Sequence, residues 1–295
     1  MKKNLLLLAM LAFTTLGFTA CSSEDDEETN QDVVLTTPEY KNDAIKLLLD
    51  EPVEYDNEFN ITELELTESG NYLIKLEQKR DMEVKATRAG RRSYKYLFNT
   101  YLKLEALMYK LTGFGTVTIE QNGSKYIVTL SFNGKTVTVN ATRIIANIIA
   151  NQKTTNLCRT WKVISTRVKI DGESGFYQED GCDINSILTY IKQHAEISDN
   201  VEANQKVKAI IFSYNGSFTL RYDNQQTDKA TWKWADASKG TISYTWDASD
   251  MGYSFVNGQA EVKIKPKGTP SQLFLYGTVK KSGATKNITI TINME

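Results

Sequence analysis

Two alternating runs, Ala230-Thr-Trp-Lys-Trp234 and Thr241-Ile-Ser-Tyr-Thr-Trp246, decide how the second half of the chain folds. Side chains alternate between the two faces of a strand, so each run gathers its large groups on one face. If Asp236 pairs with Gly240 around a three-residue loop, Trp232 falls opposite Tyr244 and both sets share one face. A shift of one residue would expose one set, at about 1.5 to 3 kcal/mol for each large side chain. The runs therefore predict an antiparallel hairpin whose aromatic face is turned inward.

Further short alternating runs surround this hairpin, and turn residues such as Asn215-Gly216 separate them. The predicted strands span residues 161–170, 208–214, 217–223, 230–235, 241–246, 258–264, 272–280 and 286–293. One helix is predicted between the first two of them, over Asp183–Glu196, because its apolar residues recur at helical spacing. Eight strands suit a closed antiparallel barrel or a tight sandwich.

The first half is also rich in predicted strands. A hairpin is expected within residues 61–76, followed by strands at 116–120, 125–131 and 136–140. Apolar spacing predicts helices at 39–49 and 141–151. Residues 94–111 fit both periodicities, and their neighbours favour strands. The fold class is thus mainly β, with an N-terminal β-rich (α+β) domain before the barrel.

The second half carries the residues of a family resemblance. An opening strand with one tryptophan (Leu157-Cys-Arg-Thr-Trp161), a helix, then Ile211-Phe-Ser-Tyr-Asn-Gly-Ser-Phe218 and Ala230-Thr-Trp-Lys-Trp234 resemble the lipocalin-like lipoproteins of Bacteroidetes. The resemblance implies a calycin-type barrel over residues 154–295. The first half faintly parallels this order, so a duplicated unit is a second possibility.

The leader indicates where the protein resides. Lys2 and Lys3 precede an apolar run, Leu5–Leu16, that is too short to span a bilayer. The residues before Cys21 resemble the lipobox of bacterial lipoproteins, which implies cleavage there and lipid on Cys21. The alternative is cleavage by the ordinary peptidase, with Cys21 left as a free thiol.

An acidic run, Ser22-Ser-Glu-Asp-Asp-Glu-Glu28, follows the cysteine and resembles the export signal of Bacteroidetes lipoproteins. It predicts a lipid anchor in the outer membrane with the protein on the cell surface, the periplasmic face being the alternative. A chain held by acyl tails needs no transmembrane helix.

Composition divides the rest of the chain. We expect a signal peptide at 1–20, an acidic disordered tether at 21–37, an N-terminal domain at 38–153 and the barrel at 154–295. From Val33 onward, 33 basic and 30 acidic side chains leave a formal charge of +3. Nucleic acid is not an expected partner, because phosphate backbones require a concentrated positive field.

Catalytic signatures are weak. The sequence has one histidine, His194, which disfavours a metal site or a Ser-His-Asp triad. Paired acids such as Asp247 with Asp250, or Glu173 with Glu179 and Asp180, lie near predicted turns, where acids are common. Phosphate-loop, dinucleotide and G-x-S-x-G motifs are missing from the sequence. We therefore expect no enzyme activity, no metal and no cofactor.

Two sets of residues are candidate sites. The aromatic residues Trp232, Trp234, Tyr244 and Trp246 could line a site for a glycan or an apolar ligand, or they could fill the barrel core. Cys158 and Cys182 are the remaining thiols of the mature chain and could form a disulfide, the alternative being two separately buried thiols.

These features predict a non-enzymatic binding role for a surface-anchored lipoprotein. One hypothesis is capture of a small hydrophobic or glycan ligand, or a lipid, in or at the mouth of the barrel. The other is an interaction or scaffold subunit that binds an outer-membrane protein and has no ligand pocket. An accessible cavity lined by the tryptophans would favour the first hypothesis, and a filled barrel the second.

Overall fold

The computed structural model describes residues 44–79, 94–146, 148, 151–195, 205–246, 258–266, 268–281 and 284–295. In those ranges the chain forms seventeen strands and two short helices. The predicted leader and tether lie outside the described residues, as do most of the charged segment 78–92 and of the segment 198–205.

The first eight strands follow one another around a closed antiparallel barrel. They are β1 Ile45–Glu54, β2 Phe59–Leu66, β3 Asn71–Gln78, β4 Tyr94–Glu105, β5 Met108–Leu111, β6 Gly115–Asn122, β7 Lys125–Phe132 and β8 Lys135–Arg143. β8 closes the barrel by pairing with β1. Asn133 and Gly134 both have positive φ, as a type I′ hairpin turn between β7 and β8 requires.

The remaining strands build a second barrel after a short helix, α1 (Gln152–Leu157). They are β9 Thr160–Ile170, β10 Tyr177–Asp180, β11 Val207–Phe212, β12 Ser217–Tyr222, β13 Thr227–Asp236, β14 Thr241–Trp246, β15 Gly258–Lys263, β16 Ser271–Lys281 and β17 Ala284–Met294. Helix α2 (Ile184–His194) lies between β10 and β11. The barrel closes where β17 pairs with β9, and β10 pairs with the far half of β9.

Each barrel has its own hydrophobic core. The first is filled by alternate residues such as Leu47, Ile61 and Tyr109, and the second by Trp161, Phe212 and Phe218, among others. The Trp161 indole donates a hydrogen bond to the carbonyl of Leu157, 2.8 Å away, which fixes the end of α1 to the start of β9.

The predicted fold class is confirmed. All eight strands expected in the second half form, and they close a barrel that is compatible with a lipocalin-like fold. The N-terminal half is a closed eight-stranded barrel as well. Residues 94–111 form two strands, β4 and β5, since Tyr101 and Tyr109 meet edge to face inside the first barrel.

Two predicted helices are wrong. Residues 45–49 of the segment predicted as a helix at 39–49 lie in β1, because Leu47 and Leu49 fill the first barrel while the backbone pairs with β2 and β8. Residues 39–43 lie outside the described residues. The segment 141–151 begins with the last residues of β8, and a helix starts only at Gln152, where the Asn151 side chain accepts the hydrogen bond of the Thr154 N–H. The helix predicted at 183–196 is confirmed as α2, capped by Asp183.

Candidate functional site

The tryptophan hairpin has the predicted register. Trp232 lies opposite Tyr244 and Trp234 opposite Ile242, with the exposed Thr231 on the other face. The predicted loop has three residues and pairs Asp236 with Gly240. The observed loop is one residue longer, because the register shifts after Trp234 and Asp236 pairs with Thr241. The hairpin thus turns its large side chains inward.

Trp232 is packed on several sides within the second barrel. Its exposed fraction is 3%, and its ring meets Phe212 edge to face at 5.6 Å and Trp234 at 5.5 Å. The indole N–H donates to the Ser213 carbonyl at 3.0 Å, so the polar atom of the buried ring has a partner. These contacts make Trp232 a core residue.

The other predicted aromatic residues lie around it. The half-buried Trp234 donates its indole N–H to Thr154 Oγ1 of α1 at 2.8 Å. Tyr244 is buried, and desolvation raises the pKa of its phenol to about 12. Gly258 makes room for that ring, because a Cβ there would lie 2.6 Å from it. The side chain of Trp246 lies outside the described residues.

The two cysteines are free and buried, so the predicted disulfide is not present. Cys158 ends helix α1 before β9 begins, whereas the Cys182 thiol lies beside Thr166. Six strand positions from Thr160 to Thr166 correspond to about 20 Å, far more than a disulfide can bridge. Burial raises the pKa of the Cys182 thiol to about 12 and that of Cys158 well above its usual value.

The polar residues considered for catalysis have structural roles where they are described. His194 Nδ1 lies 2.8 Å from the Tyr190 carbonyl at the end of α2. Glu179 accepts hydrogen bonds from the Tyr177 hydroxyl and from the N–H of Asp183, which precedes α2. In the described ranges, no three His, Cys, Asp or Glu side chains are arranged to hold a metal ion.

A buried charge cluster joins the two barrels. Lys229 of β13 is 1% exposed, and its ammonium lies 2.6 Å from Glu63 Oε1 and 2.6 Å from Glu65 Oε2 of β2. Lys46 of β1 adds a second cation 3.7 Å from Glu63. All four groups lie on outward faces of their barrels, so each barrel covers the other there.

Ion pairing opposes the effect of burial on the pKa values of Lys229 and Glu63. Burial alone would lower the pKa of Lys229, but the carboxylates of Glu65 and Glu63 outweigh it and raise that pKa. Burial would likewise raise the pKa of Glu63, and Lys229 and Lys46 outweigh it and lower that pKa. Sequence reasoning missed the cluster, because a charged residue on the polar face of an alternating strand predicts an exposed side chain.

Glu68 marks a second contact between the barrels, at the β2–β3 turn. Its carboxylate accepts hydrogen bonds from the Ser213 hydroxyl at 2.7 Å and from the Tyr214 N–H at 3.3 Å. Burial raises the pKa of Glu68 to about 7, and the charge of Glu65 adds to this, although the two hydrogen bonds act in the opposite direction. The Cys158 thiol also faces Glu68.

This raised pKa makes the stability of the protein depend on pH. A carboxyl whose folded pKa exceeds its unfolded value stabilises the fold at low pH and loses that contribution as the pH rises, here between about 4.5 and about 7. The free energy of unfolding of the wild-type protein should fall between acidic and mildly basic pH. We expect this fall to be smaller by about 1 to 3 kcal/mol in Glu68→Gln. Urea unfolding at both pH values measures it, with the exposed Glu120→Gln as control. An unchanged pH dependence in Glu68→Gln would contradict the assignment.

A cleft opens in the wall of the first barrel between β1 and β8. β8 pairs with β1 through Ala141–Arg143, and within the described barrel the six residues 135–140 have no strand paired on that side. β1 bulges away around Pro52, since its register with β2 shifts between Leu48 and Val53. The Lys135 ammonium closes the far end of the cleft by donating to the Glu54 carbonyl at 2.6 Å.

The cleft encloses about 390 Å³. Its floor is apolar and its rim is polar and mainly acidic. The lining residues are Asp50, Glu51, Pro52, Val53, Glu54, Lys135, Val137, Thr138, Val139 and Asn140.

No family model, curated protein or solved structure matches the chain at a significant level.

The geometry of the cleft suits an extended ligand. The open edge of β8 presents backbone N–H and C=O groups that an added strand can pair with. In the sequence, Pro52 is the signal that could have located the cleft, because proline cannot donate to a strand ladder and therefore marks a bulge or an edge.

Neither helix that the structure describes has the length and hydropathy that a bilayer-crossing helix needs.

Proposed function

We propose that the protein is a lipid-anchored, non-enzymatic interaction protein of the outer membrane, similar in kind to the lipocalin-like lipoproteins of Bacteroidetes. The observation that carries this proposal is the packing of Trp232, which occupies the core of the second barrel instead of lining an open pocket. A barrel filled at that position favours binding on the outside of the molecule over capture of a ligand inside the second barrel.

The open edge of β8 offers a place for a partner. A partner segment in extended conformation would add as a strand over residues 135–140, with main-chain hydrogen bonds supplying affinity and the apolar floor selecting its side chains. Binding of this kind needs no catalytic group. It suits a subunit that holds an outer-membrane protein in an assembly.

Photo-crosslinking in cells tests this site. We expect a photoreactive amino acid at Thr138, in the cleft, to crosslink the protein to another outer-membrane protein. The same amino acid at the exposed Lys169, on a strand of the second barrel, is the control and should give no such product. Equal crosslinking from both positions, or none from Thr138, would contradict the proposed site.

The anchor is tested separately by cell fractionation. Cys21→Ala should move the protein from the membrane fraction to the soluble fraction, because Cys21 would carry the acyl chains. Protease added to intact cells should digest the wild-type protein if it is displayed on the surface. Digestion only after lysis would place it on the periplasmic face instead.

A glycan or another small polar ligand is the second candidate, and the volume of the cleft supports it. A cavity of about 390 Å³ lies within the range of small-molecule sites. Glu51 and Asn140 would provide hydrogen-bond partners on its rim. If purified protein binds an outer-membrane glycan and Glu51→Gln weakens that binding, the cleft serves a ligand and not a protein segment.

A further inference from the structure

The end of β4 and the turn into β5 expose three leucines. Leu102 is 62% exposed, Leu104 46% and Leu107 37%, and we refer to these three residues as the leucine turn. Leu102 lies on the outward face of β4, since its neighbour Tyr101 packs inward against Tyr109. Grouped exposed leucines mark a contact surface far more often than leucines that are scattered singly.

The leucine turn lies at the end of the first barrel where the N-terminal chain enters. Strands of an up-and-down barrel alternate in direction, so β4 ends, β8 ends and β1 begins at the same end. Ile144, 37% exposed, and Ile145, 77% exposed, follow β8 at that end. The exposed apolar groups therefore lie on the side from which the segment leading back to Cys21 departs.

The charges beside the leucine turn suit a phosphate-bearing surface. Lys110 of β5 pairs directly across from Leu102, and Lys103 adjoins it along β4. Lysine stems can lie along apolar surface while their ammonium groups reach headgroup phosphates. Glu105 is the acidic residue of the same turn, so the turn keeps a net positive charge.

We propose that the leucine turn rests on the lipid surface, with Leu102, Leu104 and Leu107 inserted at the boundary between headgroups and acyl chains. The proposal rests on the lipid anchor at Cys21, which would hold the leucine turn at high local concentration beside the membrane. A weak contact is then enough to orient the molecule, because the second binding event is intramolecular. The open edge of β8 would remain accessible along the side of the barrel.

Vesicle binding by an unlipidated protein tests the surface without the anchor. The full mature chain carrying Cys21→Ala is mixed with vesicles of phosphatidylethanolamine and phosphatidylglycerol and sedimented. We expect weak binding that falls about tenfold or more in Leu102→Gln/Leu104→Gln, since each leucine loses its transfer out of water. Phe176→Gln is the matched control, because Phe176 is 49% exposed on the second barrel.

Two results would overturn the proposal. One is vesicle binding that is equal in the parental chain and in Leu102→Gln/Leu104→Gln, or absent from the parental chain. The other is a crosslink from the leucine turn to a protein partner that Leu102→Gln/Leu104→Gln abolishes while vesicle binding stays unchanged. That result would assign the surface to protein. If Cys21 carries no lipid, Cys21→Ala will leave the protein in the same cell fraction as the wild type. The vesicle assay does not depend on this, because it uses the unlipidated chain.

Discussion

Replacing Lys229 with alanine is expected to lower the free energy of unfolding by about 3 to 5 kcal/mol. The substitution leaves Glu63 and Glu65 as buried carboxylates without the cation that lies 2.6 Å from each of them. Because these residues belong to different barrels, the loss should also uncouple the barrels. Urea unfolding is then expected to show two transitions in Lys229→Ala, one for each barrel.

Two further variants isolate the charge effect. Lys233→Ala is the matched control, since Lys233 lies on the same outward face of β13 but is exposed, and it should change stability by less than about 0.5 kcal/mol. A double variant, Lys229→Met with Glu65→Leu, should recover most of the loss, because Glu63 keeps Lys46 as its cation and no unpaired charge remains buried. A Lys229→Ala protein as stable as wild type would show that the barrels do not pack through this cluster.

Trp232→Ala is expected to lower the free energy of unfolding by about 3 to 5 kcal/mol. The substitution removes the ring that packs against Phe212 and Trp234, and it leaves the Ser213 carbonyl without the indole donor. Denaturant unfolding measures the change, and Thr231→Ala on the exposed face of the same strand is the control. A stable Trp232→Ala protein that has lost only glycan or lipid binding would show that the tryptophan belongs to a binding surface.

The pairing of the tryptophan hairpin was predictable because it depends on neighbours in the sequence. Period-two alternation fixes which side chains share a face, and a short loop restricts the register to one that buries Trp232 beside Tyr244. The same local rules located eight of the nine strands in the second half, all but the four-residue β10. The apolar residues after Asp183 recur at helical spacing and likewise predicted α2.

Local pattern was misleading where distant pairing decides the structure. Residues 45–49 have helical apolar spacing, yet they become a strand because β2 and β8 together offer backbone partners on both sides of β1. The cysteines illustrate the same limit. Their separation in sequence allowed a disulfide, and the length of β9 between their sites places them apart.

The candidate sites depend still more on tertiary structure. The sequence by itself determined the alternation of the strands, the turns and the inward aromatic face, since these follow from neighbouring residues. Only the tertiary structure decided that Lys229 meets Glu63 and Glu65, that β1 leaves the edge of β8 open, and that the leucine turn stays exposed. The physical reason is that burial and pairing of an outward-facing residue depend on which surface covers it, and that surface comes from residues far away in the chain.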